Sequence, residues 1–176
     1  FNMWNDKKQV KNGNMGEVIV KKYLLKKGFT VYVPISDCPH NFDMLTSLNK
    51  RELCIYEVKT KAKRNFMPDT GINYSHYLEY KQISQQHNLP VFLVLVDELI
   101  QQIYGGFLHD LDSPTIQLFN GRNISYPKIE NCKGVPIIFF YQPTMKIIGN
   151  LNEEEAKEIK EMNTRNYKYI LQQTLF

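Results

Sequence analysis

Long apolar runs, paired cysteines and internal repeats are all missing from this sequence of 176 residues. No apolar run reaches the roughly 18 residues that a membrane-spanning helix requires, so we expect no membrane association. The three cysteines are odd in number and widely spaced, which does not indicate a disulfide framework and favours a reducing environment. No secretory signal is recognisable, and the sequence therefore predicts a cytoplasmic, intracellular protein.

Short motifs of several enzyme classes are absent as well. The sequence contains neither a glycine-rich phosphate-binding loop nor a Gly-x-Ser-x-Gly nucleophile motif. Cys38 and His40 have the spacing of metal ligands, but no second pair accompanies them, and a structural zinc site needs four ligands. These absences leave P-loop, serine-hydrolase and zinc-site chemistry without support.

The chain is rich in apolar and aromatic residues. Apolar residues make up 43% of it, and 11 Tyr, 10 Phe and 1 Trp are present. This composition is sufficient for a packed core and excludes a disordered chain. At this length the simplest organisation is one domain spanning residues 1–176.

Basic residues are clustered along the sequence. The net charge is only +4, but residues 1–30 contain seven lysines and residues 50–64 contain six lysines or arginines. Such clusters suit a polyanionic partner. The alternative is an ordinary solvated lysine face on a helix.

Helical patterns occur in residues 14–27, 74–87 and 152–173. In the first of these, Asn14 is a plausible N-cap with Glu17 three residues later, which is an Asn version of the capping box. Gly28 ends the pattern as a C-terminal glycine does.

Strand patterns occur in residues 29–33, 41–47, 52–60, 91–96, 103–108 and 135–141. The run 91–96 is continuously apolar, which is typical of a strand buried on both faces. The sequence therefore predicts a mixed sheet with helices on both sides.

The two strands at 41–47 and 52–60 form a predicted hairpin that carries two acids. If the hairpin is centred near Lys50, Asp43 and Glu57 lie opposite each other, where like charges repel. Glu57 and Lys59 share a face because they are two residues apart on one strand. Two carboxylates and an ammonium would then converge on one point, which suits a hard cation and phosphodiester cleavage. A loop of even length would instead place Asp43 opposite Tyr56.

Surface ion pairing is the alternative explanation of these charges. Asp43 and Glu57 could pair with Lys59 and Lys61 as salt bridges that contribute about 0–1 kcal/mol each. An Asp within a strand is unfavourable by propensity, however, and therefore needs a reason.

The order of elements and these residues resemble the PD-(D/E)XK nuclease superfamily. The signature run (D/E)-x-K is Glu57-Val58-Lys59, the preceding acid is Asp43 in Asn-Phe-Asp, and Gly16-Glu17 matches an acid on the first helix of many members. The resemblance implies an α/β restriction-endonuclease-like fold with an α-β-β-β-α-β core at about residues 14–110. Residues 111–176 would be a C-terminal elaboration with extra strands and a helix.

The resemblance also implies a site. Asp43, Glu57 and the backbone carbonyl of Val58 would bind Mg²⁺, for which Mn²⁺ could substitute. Lys59 would position or help deprotonate the attacking water, and Glu17 would be a further catalytic acid, although the capping box also explains it.

The function implied is a Mg²⁺-dependent DNA endonuclease that acts as a homodimer or a higher homo-oligomer. DNA contacts are expected from three lysines near the acids in sequence, namely Lys61, Lys63 and Lys81. Two alternatives remain open, which are a nucleic-acid-binding module that does not cleave and a nuclease directed at RNA.

Overall fold

A computed structural model describes residues 8–34, 42–48 and 52–162 of the chain. In chain order its elements are α1 (Lys8–Lys26), β1 (Phe29–Tyr32), β2 (Met44–Leu48), β3 (Glu52–Thr60), β4 (Asp69–Asn73), α2 (Tyr74–His87), β5 (Val91–Asp97), β6 (Gln102–Phe107), α3 (Leu108–Leu111), β7 (Thr115–Phe119), β8 (Arg122–Tyr126), β9 (Lys128–Cys132), β10 (Val135–Tyr141), a 3-10 turn (Gln142–Thr144), β11 (Lys146–Asn150) and α4 (Glu153–Met162).

The main sheet has six strands in the order β1-β2-β3-β5-β6-β11. Only the central pair β3 and β5 is parallel, while the other neighbours are antiparallel. β5 is buried along its whole length, as its continuous apolar run predicts. A smaller sheet has the order β4-β10-β9, and β7 pairs with β8 as a separate hairpin.

Each face of the main sheet is covered by a different set of elements. On one face, Tyr56 and Val58 of β3 pack with the buried side chains of α1 and α4. On the other face, Ile55 packs with residues of α2, α3 and the smaller sheet. This arrangement confirms the predicted mixed sheet with helices on both sides, because both faces carry buried apolar side chains.

The predicted hairpin has the expected register. Met44 is opposite Tyr56 and Leu48 is opposite Glu52, which centres the hairpin on position 50. The loop between the strands, residues 49–51, lies outside the described residues, as do Cys38 and His40. The core order α-β-β-β-α-β is present as α1, β1, β2, β3, α2 and β5, so the predicted restriction-endonuclease-like class is confirmed.

Several elements differ from the prediction. Helix α1 begins at Lys8, so Asn14 lies inside the helix and the predicted capping box is wrong. Strand β4 was not predicted, since its sequence Asp-Thr-Gly-Ile-Asn lacks the alternation of a strand. Strands β7, β8, β9 and β11 were also missed, and β11 joins the main sheet beside β6. In the part of the chain described, no helix is long and apolar enough to cross a membrane.

Candidate active site

An open cleft of about 330 Å³ lies along the C-terminal half of β3. Its walls come from α1, from residues 58–61, from β4 and from the first turn of α2. Among the described residues, the pairing of β2 with β3 ends at Met44 and Tyr56, so the end of β3 beyond Tyr56 has no strand partner on that side. Of the residues predicted to be catalytic, Glu17 and Lys59 line this cleft, whereas Asp43 and Glu57 do not line it but contact Val58 and Lys59, which do.

Asp43 is held against β3 by a hydrogen bond to the backbone. It precedes β2 by one residue, and its buried carboxylate accepts the N–H of Val58 at 2.7 Å. Ile55 and Lys61 donate their backbone N–H groups toward β5, so the alternate residue Val58 turns its backbone toward Asp43. The Asp43 carboxylate thus replaces a backbone acceptor in the hydrogen-bond ladder between β2 and β3. The Val58 carbonyl faces the same side of β3 as its N–H.

The carboxylate of Glu57 is shared by two donors. Its Oε1 accepts the Lys59 ammonium at 2.7 Å and the Tyr80 hydroxyl at 2.6 Å. The Lys59 Nζ also lies 5.5 Å from the centroid of the Tyr80 ring. The second oxygen, Oε2, is buried and has no hydrogen-bond partner within the described residues. Such an oxygen is costly to bury, which makes it a ready ligand for a cation.

Glu17 joins this group from α1. The capping-box explanation fails because α1 begins nine residues before it. Burial, followed by repulsion from Asp43, raises the pKa of Glu17 from 4.5 to about 7, although Lys59 acts in the opposite direction. Glu17 is therefore close enough to Asp43, Lys59 and Glu57 to interact with them electrostatically.

Lys59 supplies positive charge to this acidic site. Burial alone would lower its pKa, but the negative charge of Glu57, with smaller contributions from Tyr80 and Asp43, raises the pKa above its ordinary value. Lys59 is consequently held as an ammonium between acids, which is the form that can contact a phosphate oxygen.

The donors present fit a divalent cation, provided that two carboxylates suffice. Among the described side chains, no three His, Cys, Asp or Glu residues are grouped so as to hold a metal ion. Mg²⁺ requires only one or two carboxylates because it keeps several waters and takes phosphate oxygens as ligands. The unpartnered Oε2 of Glu57 and the crowded acids Asp43 and Glu17 match that requirement.

The three lysines proposed to contact DNA lie in different places. Lys61 lines the cleft, with its Nζ 2.6 Å from the carbonyl oxygen of Gly71. Lys63 follows two residues later and is not among the residues that line the cleft; its backbone N–H donates to Asp97 at 2.8 Å. Lys81 does not line the cleft, because its ammonium pairs with Asp112 at 2.6 Å.

Tyr80 is the site residue that the sequence did not identify. Two neighbouring residues of the same helix, Tyr77 and Lys81, both contact Asp112 instead. The face of α2 that meets Glu57 depends on how α2 crosses the sheet, so only the spacing of its buried residues could have suggested Tyr80.

Comparisons with known proteins give a likeness in fold only. No family model matches the chain, and no curated protein matches it. Among solved structures, the Holliday junction resolvase Hjc of Archaeoglobus fulgidus, an archaeal hyperthermophile, has a TM-score of 0.46 at 14% identity and covers 64% of this chain and 86% of that one. A nuclease from a fusselovirus has a TM-score of 0.38 at 10% identity, over 87% of this chain and 88% of that one.

At these scores neither likeness carries an argument about activity. The fold assignment depends on the topology of the chain itself, in which α1, the β1-β2-β3 meander, α2 and the parallel strand β5 follow the expected order. The chain therefore has the restriction-endonuclease-like fold that its resemblance to the PD-(D/E)XK superfamily implies.

Proposed function

We propose that this protein is a Mg²⁺-dependent DNA endonuclease that hydrolyses phosphodiester bonds. The observation that carries the proposal is the grouping of Asp43, Glu57 and Lys59 around the end of β3, beside the cleft that Lys59 and Glu17 line. A surface salt bridge would not require this arrangement, because Asp43 and Glu57 are buried while their charges repel each other.

Each residue has a defined part in the proposed reaction. Asp43, Glu57 and the Val58 carbonyl would hold the metal, which would supply Lewis acidity and lower the pKa of the attacking water. Lys59 places its ammonium beside the scissile phosphate and stabilises the negative charge that develops there. Tyr80 fixes the rotamer of Glu57 through its hydroxyl.

DNA is the proposed substrate because basic side chains border the acids. Lys61 lines the cleft, and the segment 59–64 contains four basic residues without an acid. Duplex DNA would be cut on one strand by each cleft, so cleavage of both strands calls for a homodimer or a higher oligomer.

The division into a core at residues 14–110 and an elaboration at 111–176 stays a prediction, as does an intracellular location.

Nicking of supercoiled plasmid tests the proposal. With Mg²⁺ the wild type is expected to nick the plasmid, and Lys59→Ala is expected to lose at least about 100-fold in rate because it lacks the charge that meets the phosphate. Lys160→Ala, which removes an exposed lysine from α4, is the matched control and should cleave normally. Mn²⁺ should substitute for Mg²⁺, and EDTA should abolish nicking.

A DNA-binding assay distinguishes a nuclease from a module that only binds DNA. Lys59→Ala should still bind DNA in a gel-shift assay, since it removes one charge among several. A wild-type protein that binds the plasmid but never nicks it with either metal would be a binding module. Faster cleavage of a matched RNA strand would redirect the assignment to RNA.

A further inference from the structure

A second cavity lies beside the cleft and has no part in the chemistry described so far. Its volume is about 420 Å³, and it is formed by residues 61–66, Leu99, Cys132, Ile137 and Phe139. Lys61 lines both this cavity and the cleft, so the two are adjacent. The volume falls within the usual range of small-molecule sites.

Planar groups line this second cavity. The guanidinium of Arg64 lies 3.8 Å from the centroid of the Phe139 ring. Phe66 lines the same cavity and is 63% exposed, so its ring is accessible to a ligand. Nucleobases stack on aromatic rings and on guanidinium planes, so this combination suits a flat heteroaromatic ligand.

The wall of the second cavity is rigidly held. Arg64 donates to both oxygens of Asp69 and to Glu130, each at 2.6 Å. Asp69 is fully buried and also accepts the hydroxyl of Tyr126 at 2.8 Å. The guanidinium plane is therefore fixed before any ligand arrives, which lowers the entropic cost of binding.

The charge at the rim favours a nucleotide over an apolar peptide. Lys61 lies between the cleft and the second cavity, and Lys63 also lines the second cavity. A strand with one phosphate in the cleft would bring its neighbouring sugar and base to this rim, with the basic groups following the backbone.

We propose that the second cavity binds an unpaired nucleobase of the DNA strand whose phosphate lies in the cleft. This inference rests on the proposed function and narrows it, since the substrate would be single-stranded DNA or a duplex with an unpaired nucleotide near the cut. A base inside a regular duplex is stacked and paired and would first have to be extruded.

The test uses single-stranded oligonucleotides, with EDTA present so that no cleavage occurs. A 20-mer is compared with versions that carry one abasic site at successive positions, and affinity is measured by fluorescence anisotropy. We expect one position at which removal of the base weakens wild-type binding about 10-fold. Phe66→Ala should bind the intact strand about 10-fold more weakly and should no longer distinguish the abasic version.

Two variants control for the substitution itself. Phe66→Trp keeps a stacking ring and should restore the affinity. Tyr32→Ala removes a similarly exposed aromatic side chain (58%) from β1, which lines neither cavity, and should bind like the wild type.

The outcomes separate this inference from the proposed function. If the plasmid is nicked but Phe66→Ala and Tyr32→Ala bind the oligonucleotides equally well, the base site is wrong and the nuclease stands. Uniform affinity across all abasic positions would overturn it in the same way. If position-specific binding occurs without nicking, the base site stands and the nuclease assignment fails.

Discussion

At the scale of single residues, the carboxylate of Glu57 depends on side chains from two different elements. Lys59 approaches along β3 and Tyr80 from α2, and both contact the same oxygen. When a buried acceptor loses one of its hydrogen-bond donors, the cost of removing that acceptor from water is no longer compensated, and the folded state becomes less stable. Tyr80 is therefore a positioning residue whose loss should alter both stability and catalysis.

Tyr80→Phe is expected to lower the free energy of unfolding by about 1–2 kcal/mol, because Glu57 keeps only the Lys59 ammonium on that oxygen. Urea denaturation measures this loss. Tyr77→Phe is the matched control on the same helix, since its partner Asp112 keeps Lys81 and is partly exposed. Equal losses for the two variants would contradict the assigned role of Tyr80.

The titration of Glu17 gives a dependence of stability on pH in protein freed of divalent ions. The pKa of Glu17 is raised to about 7, while the unfolded chain ionises near 4.5. The unfolded state therefore releases this proton first, and the contribution to stability present below pH 4.5 is lost as the pH rises toward 7. Glu17→Gln should flatten this decline between pH 4.5 and 7.

Denaturation midpoints of wild type and Glu17→Gln across pH 4–8 check this expectation. Glu79→Gln, which changes an exposed acid on α2, should follow the wild-type curve. A Glu17→Gln curve parallel to the wild type throughout this range would show that the carboxyl ionises normally.

At the scale of elements, the position of Glu17 depends on the contact between α1 and β3. Gly16 lies directly over Thr60, and a Cβ added at Gly16 would be 2.0 Å from the Thr60 hydroxyl oxygen. Helix and strand can approach this closely only because position 16 has no side chain.

Gly16→Ala is expected to destabilise the protein by about 1–3 kcal/mol because the helix must move away from the strand. Nicking should slow as well, since the shift carries Glu17 with it. Gly13→Ala makes a matched comparison within α1, because an added Cβ meets nothing within 4 Å. That change should stabilise the helix by about 0.5–1 kcal/mol, as judged by thermal unfolding.

The sequence predicts those elements whose patterns are local. The continuous apolar run of β5 and the bounds of α2 were predicted correctly, and so was the register that centres the hairpin on position 50. β4 was missed because its residues are paired by β10, which lies more than sixty positions later in the chain.

The same difference between local patterns and distant contacts decides which residues of the candidate site could be predicted. The sequence could predict the proximity of Asp43, Glu57 and Lys59, because side chains on paired strands alternate between the two faces with a period of two. It could not predict the place of Tyr80, because tertiary packing decides which face of α2 meets the sheet. The ion pairs of Arg64 were not predicted because its partners Asp69 and Glu130 belong to the smaller sheet, which the sequence did not predict.

At the scale of the whole molecule, Asp69 joins the basic segment after β3 to the smaller sheet. It is fully buried, accepts two hydrogen bonds from Arg64 and one from Tyr126, and lies 3.5 Å from the ammonium of Lys128. Removing a buried charge from such a group leaves its partners uncompensated.

Asp69→Ala is expected to cost about 3 kcal/mol of stability, measured by chemical denaturation. Glu130→Ala removes a partner of Arg64 whose side chain is 39% exposed, and it should cost less than about 1 kcal/mol. Similar losses for both variants would indicate that burial of Asp69 carries no special weight.

The parallel pairing of β3 and β5 has a consequence for how the chain matures. The connection between these strands contains β4 and α2, so Tyr80 meets Glu57 only after that crossover has closed over the sheet. In a chain that is still emerging from the ribosome, or that has partly opened, Glu57 of β3 lacks its contact with Tyr80 of α2. Under the proposed function, hydrolytic activity would therefore appear only once this crossover has folded over the sheet.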